Sequence, residues 1–485
     1  MIKQTLMAAA VAAALAGPGT AAAVTDAELK ELREQVQQLK RDYERRIQAL
    51  EQRLKQAEGA AATARTSAGQ GATAAGKEVA AAAQAQASAE AAAISASARP
   101  AGENAFNPAV SLILNGVLAN LSQDPARHQI TGFTPTGGEV GPGDRGLSLG
   151  DSELVFSASI DPNFRGTLIA ALTADNSVSV EEAYIQGIGL AQGLGFKAGR
   201  FLASAGYLNE LHPHAWDFYD APLANKVFLG NQLADDGVQL KWVAPTDTFF
   251  ELGAEIGRGR NFPGSNRDKN GAGASNLFAH LGGDIGASTA WRLGLSYLST
   301  TAQNRSYDDL DSTGMQVNNS FDGTSRLWVL DGVLKWAPNG NSASSNFKLQ
   351  GEYFRRKENG SLAYDTASVS RGTQSDSYYA AQSGWYAQGV YQFMPRWRAG
   401  YRYDRLDSGS VKLGLVDSGA LAAADFPIYA AHNATRNTLM FDFSPSEFSR
   451  LRLQFASDKS RLGYTDNQVF LQYIMSLGAH GAHKF

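Results

Sequence analysis

The chain contains no cysteine. Disulfides and thiol chemistry are therefore excluded, and any metal site must be built from His, Asp and Glu. It also carries little net charge, −4 over 485 residues, so the composition gives no case for nucleic acid as a partner. Beyond the N-terminal segment there is no run of eighteen apolar residues, and no transmembrane helix is expected in the mature chain. An H-E-x-x-H pair, a P-loop and any other cofactor-binding signature are missing too, so no cofactor is expected. The segment "GLSLG", Gly146 to Gly150, matches G-x-S-x-G. A nucleophile elbow needs a helix after its turn, and here the strand-like "SELVFSAS" follows, so the match is read as chance. No catalytic residue and no enzyme activity are expected.

What the chain does have is 50 glycines, 17 tyrosines and 23 phenylalanines, a mixture that suits β-structure with many turns and aromatic belts. The chain divides into four parts. Residues 1–23 read as a signal peptide: Lys3, the apolar "TLMAAAVAAALA", then small residues at Ala21 to Ala23. Residues 24–58 place Leu29, Leu32, Val36, Leu39 and Tyr43 on a heptad seam, resumed by Ile47, Leu50 and Leu54 after a stutter. That pattern predicts an α-helical coiled coil on the periplasmic side, with a lone amphipathic helix as the alternative. Residues 59–104 are Ala-rich and nearly free of large apolar side chains, which predicts a low-complexity linker.

From residue 105 to 485 the texture changes to short alternating segments. They predict about sixteen strands, near 110–120, 147–160, 164–174, 179–188, 194–202, 235–244, 248–258, 276–287, 289–301, 325–337, 346–358, 378–393, 396–408, 434–444, 447–458 and 467–485. Short turns such as "DPN", "APTD" and "SPSE" alternate with long loops at 121–146, 203–234, 259–275, 302–324, 359–377 and 409–433. The fold class expected is all-β, a transmembrane antiparallel β-barrel of the outer membrane. A soluble β-sandwich alternates as well, but this is too many strands for one sandwich and no change of texture marks a second domain.

The alternation has a definite parity. In "SRLRLQFASD", Leu451, Leu453 and Phe455 share one face, and Arg450 and Arg452 the other. Trp397, Ala399, Tyr401 and Tyr403 oppose Arg396, Arg398 and Arg402 in the same way. Phe347, Leu349 and Tyr353 oppose Lys348 and Glu352. In a closed barrel one face meets lipid and the other a wet lumen. Arg396, Arg398, Arg402, Arg450, Arg452, Lys348 and Glu352 are therefore the lumen-lining candidates. Val469, Leu471, Tyr473, Met475, Leu477 and the terminal Phe485 share the lipid-side parity of the last strand.

The segment "EEAYIQ" at Glu181 to Gln186 is followed by "KAGRFLASAGYLNE" at Lys197 to Glu210. With the heptad segment ahead of the barrel, these resemble the phosphate-selective porin O/P family of Gram-negative bacteria and its uncharacterised relatives. The resemblance implies a trimeric, sixteen-stranded outer-membrane channel in which the loop after "GRF" folds inward. Implied partners are small hydrophilic solutes or ions, outer-membrane lipid and lipopolysaccharide. Phosphate selectivity does not follow, because the barrel region is slightly acidic. The third long loop carries "NELHPHAWDFYD". His212, His214, Asp217 and Asp220 are the constriction candidates, and His212 with His214 the metal-binding candidates. "DDLD" at Asp308 to Asp311 lacks a complete calcium-loop spacing and reads as solvated loop. A ligand- or metal-binding receptor barrel and a structural envelope tether remain the alternatives.

Overall fold

A computed structural model describes residues 108–478, except 138–139, 151, 174–176, 188–189 and 266–268. The signal peptide, coiled coil and linker expected at 1–23, 24–58 and 59–104, and the terminal Phe485, lie outside the described residues.

The described strands are β1 (Ala109–Leu121), β2 (Gly146–Leu149), β3 (Ser152–Ser159), β4 (Phe164–Leu172), β5 (Val178–Gly187), β6 (Leu194–Leu202), β7 (Ala234–Val243), β8 (Phe249–Gly257), β9 (Ala274–Ile285), β10 (Thr289–Leu310), β11 (Gln316–Trp336), β12 (Asn346–Tyr364), β13 (Gln374–Met394), β14 (Trp397–Leu413), β15 (Thr435–Ser446), β16 (Ser449–Asp458) and β17 (Asp466–Gly478). From β3 onward each pairs antiparallel with the next, and β17 returns to β1 in register from Ser111↔Gly478 to Leu121↔Gln468. β2 and β3 both pair with β1, so together they form one interrupted stave, and the barrel has sixteen. Among the described residues, closure leaves no unpaired sheet edge, which is the condition for strands to cross a hydrocarbon layer.

The two faces separate as the parity requires. On β16, Leu451 is 42% exposed on the outside, whereas Arg452 on the inside is 1% exposed. On β11 the outward residues Trp328, Leu330, Leu334 and Trp336 form an apolar stripe that ends in tryptophan at both ends. The two rings lie about 26 Å apart along the strand at ~3.3 Å per residue, a span of about nine residues, close to what a tilted strand needs to cross the hydrocarbon. Trp385, Tyr391 and Trp397 continue the aromatic rims on β13 and β14.

Strand positions follow the sequence reading closely, with one systematic difference. Strands β10 to β14 run beyond the ends expected for them, so the supposed loop 302–324 is largely β-hairpin, turning at residues 311–315. Outside lipid the outward face need not be apolar. The alternation fades there while backbone pairing continues.

Candidate functional site

Residues 203–233 leave β6 and fold into the barrel. Two glycines of the "KAGRFLASAGYLNE" stretch permit the entry. Gly199 has φ +125°, and a Cβ there would sit 2.2 Å from the Ala183 carbonyl oxygen on β5. Gly206 has φ +86°, and a Cβ there would sit 2.8 Å from Glu352 Oε1. Only glycine meets both the backbone angle and the contact at such positions. The loop neck is closed by Asn209, which is fully buried. Its Nδ2 donates to the carbonyls of Ala203 (2.7 Å) and Leu233 (2.9 Å), and its Oδ1 accepts from Leu233 N (2.7 Å).

Inside, the loop crosses the lumen and is held on both walls. On the β12–β16 side Asp217 pairs with Lys348 (2.9 Å) and Arg398 (3.0 Å), and Arg398 also pairs with Asp442. Asp220 receives Arg402 (3.1 Å), Lys226 (3.2 Å), Gln454 Nε2 (3.1 Å) and Arg436. Trp216 offers its carbonyl to Arg450 (3.3 Å) and Arg452 (2.7 Å). Phe218 lies under the Arg402 guanidinium, 4.9 Å away. A short helix, α1 (Leu223–Leu229), follows with all seven side chains buried. Asp404 accepts from Leu223 N at its start, and Arg356 donates to the Val227 carbonyl near its end. A cation at a helix C-terminus and an acceptor at its N-terminus both match the backbone dipole. Phe228 and Val227 pack on Leu327, Val329, Phe354 and Leu406 from the strands.

On the opposite wall two histidines meet three glutamates. His214 Nδ1 bonds to Glu153 Oε1 on β3 (2.8 Å), and His212 Nε2 to Glu182 Oε2 on β5 (2.9 Å). Glu182 Oε1 in turn accepts from Leu202 N (2.9 Å). His212 Nδ1 faces Glu181 Oε2 at 3.3 Å and Glu153 Oε2 at 3.5 Å. Glu181 is the extra residue of a β-bulge, since Ile169 pairs with Glu182 and Ala170 with Val180. The bulge brings consecutive carboxylates to one imidazole instead of sending them to opposite faces.

The sequence candidates are thus sorted. His212, His214, Asp217 and Asp220 come together on the infolded loop, with Lys348, Arg398, Arg402, Arg450 and Arg452 around it. Two expectations need correction. Arg396 does not line the lumen: it is exposed in the β13–β14 turn with φ +72°. Arg402 and Arg452 do not face open water either. Both are about 1% exposed because the loop packs on them and carboxylates neutralise the wall. Glu352 is buried under the loop, accepting from Leu208 N (2.9 Å), and acts as an anchor. Missed by sequence reading were Arg436, Asp442, Glu153, Glu181 and Glu182. Alternation in "TRNTLMFDF" would have found Arg436 and Asp442, but a period-2 pattern hides a bulge.

A sixteen-stave closed barrel with a lipid-type belt outside, a charged interior and a long loop folded through it defines a transmembrane β-barrel of porin architecture. The chain belongs to the same family as an uncharacterized protein of Aquifex aeolicus (strain VF5), with which it is 30% identical over 412 residues, covering 80% of this chain and 81% of that one. No family model matches. Solved structures that resemble it include the loop L8 deletion mutant of OmpT, an outer membrane protein of Vibrio cholerae (TM-score 0.47, 11% identity, 76% of this chain and 99% of that one). An anion-selective porin from Comamonas acidovorans (0.46, 11%, 76% and 99%) and the outer membrane channel DcaP of Acinetobacter baumannii (0.44, 13%, 76% and 97%) are similar to the same degree. At such scores the fold rests on the chain's own strand pairing.

Proposed function

We propose that this protein is a channel of the bacterial outer membrane that passes small hydrophilic solutes or ions passively, without catalysis, through a lumen throttled by residues 203–233. The observation that carries the reading is the infolded loop. It crosses a polar lumen and is held there by ion pairs and hydrogen bonds at Asp217 and Asp220. A lumen meant only to be filled has no need of so many charges, since apolar packing of similar volume is as stable or more so. The dense packing implies a small conductance. Selectivity is weak in this reading, because the partly exposed lumenal groups include Lys348, Arg398 and Arg292 but also Glu181 and Glu210. Homotrimeric assembly, implied by the likeness to porins, is part of the same proposal, and phosphate selectivity is not.

Contact with phosphorylated outer-leaflet lipid such as lipopolysaccharide is supported by the barrel's outer face. Arg326, Arg355 and Lys357 are exposed just beyond Trp328 and Tyr353, and Arg326 stands directly opposite Lys357. Like charges so placed repel unless an anion lies between them.

The test is planar-bilayer recording of the purified protein with a salt gradient. Stepwise openings of small amplitude, in groups of three, with a reversal potential near zero are expected. Silence from folded protein, including variants with a loosened loop, would overturn the channel reading in favour of a closed binding barrel.

A further inference from the structure

We infer that Glu153, Glu181 and His212 form a divalent-cation site that clamps the infolded loop to the β3–β5 wall. Two observations carry it. The three candidate ligand atoms, Glu153 Oε2, Glu181 Oε2 and His212 Nδ1, lie within 4.8 Å of one another. The two His–Glu hydrogen bonds of the cluster measure 2.8 and 2.9 Å, whereas the two further carboxylate approaches, both to His212 Nδ1, are longer at 3.5 and 3.3 Å. Ligands about 2.1 Å from a tetrahedral zinc ion stand about 3.4 Å apart. The spacing at Nδ1 is that of ligands around an ion.

The surroundings are those of a metal site as well. A ligating imidazole usually has its far nitrogen on a carboxylate, which fixes the ring and raises its basicity. Glu182 does this for His212, and is itself fixed by Leu202 N. His214 holds the second oxygen of Glu153, which sets the direction of the first. His214 is thus a positioning residue and not a ligand. Two carboxylates and a neutral imidazole balance one divalent charge, and the mixed N/O set suits zinc or a similar ion. The side chains of Glu181 and His212 keep 26% and 15% exposure, while the three ligand atoms themselves are buried, as in an enclosed site. The loop supplies one ligand and the wall two, so binding couples to loop position. The site does not depend on the channel reading.

The experiment is zinc titration of the full-length protein in detergent after chelator treatment, by calorimetry and by competition with a chromophoric chelator. One zinc ion per chain is expected. Binding should weaken at least tenfold in Glu181→Gln and in His212→Gln, and about 10- to 100-fold in Glu182→Gln, whose residue bonds the imidazole ring and is not itself a ligand. Glu181→Gln alters a partly exposed bulge residue, and heat-modifiable gel mobility checks that each barrel is folded. Stoichiometric zinc binding that survives both ligand substitutions would overturn the assignment. So would the absence of binding by folded wild-type protein together with a His212 ring NMR signature of imidazolium at neutral pH. That pair of results would make the cluster a purely ionic latch.

Discussion

Replacing Asp220 by Asn removes one charge and almost no volume. The carboxylate is 11% exposed and serves Arg402, Arg436 and Lys226 at once. Removing one partner of a buried ion pair costs about 3–5 kcal/mol, because the remaining charge stays desolvated and uncompensated. Asn keeps an acceptor oxygen, which places the variant near the lower end. At about 1.4 kcal/mol per factor of ten, the docked loop is weakened roughly 100-fold against any undocked state. The strands do not depend on this contact, so the penalty falls on the loop. Single-channel recording should show larger or more frequent openings, and limited proteolysis should cut within residues 203–233. Arg436→Gln should act the same way, and the double variant should cost less than the sum, since both remove one pairing. A folded Asp220→Asn barrel with wild-type conductance and wild-type protease resistance would refute the argument that ion pairs hold the loop.

Gly199→Ala should lower the yield of heat-modifiable barrel and destabilise what forms by roughly 2–3 kcal/mol or more, from a disfavoured φ and the clash with Ala183; wild-type yield and unfolding midpoint would show that β5 and β6 can part without cost. Changing Arg326, Arg355 and Lys357 to Gln should reduce co-purified lipopolysaccharide yet raise stability in neutral detergent, because the repulsion goes with the charges; undiminished lipopolysaccharide by mass spectrometry counts against the lipid contact. His128, in the loop after β1, is pushed down to about 4 by burial and then by the nearby Lys226. Its neutral form belongs to the docked loop, so its contribution is complete above the ordinary histidine value near 6.5 and is lost as pH falls towards 4. Protease sensitivity of residues 122–145 should rise over that window in wild type and flatten in His128→Gln.

The strand plan was legible because lipid outside and charge inside impose period 2 on every stave, and "SRLRLQFASD" alone shows it. The long loop was legible as the chemically loaded one, from His212 to Asp220. What could not be read was how the lumen closes. Arg402 and Arg452 look the same in sequence whether water or Asp220 and the Trp216 carbonyl lies opposite, since partners more than a hundred residues away leave no periodic trace. The glutamate cluster was hidden for another reason. A one-residue bulge at Glu181 breaks the parity rule on which the reading relied, and Glu153 stands beside the break between β2 and β3.

The clasp made by Asn209 turns residues 203–233 into a ring, because one side chain fastens the carbonyls of Ala203 and Leu233. A ring cannot fray from an end. Its anchorages on the two walls, the arginines on one side and the glutamates on the other, are joined through a short chain of fixed perimeter. Tension released at one is felt at the other, so the loop should dock and depart as a unit. Each pore would then switch between discrete levels and would not drift through a continuum.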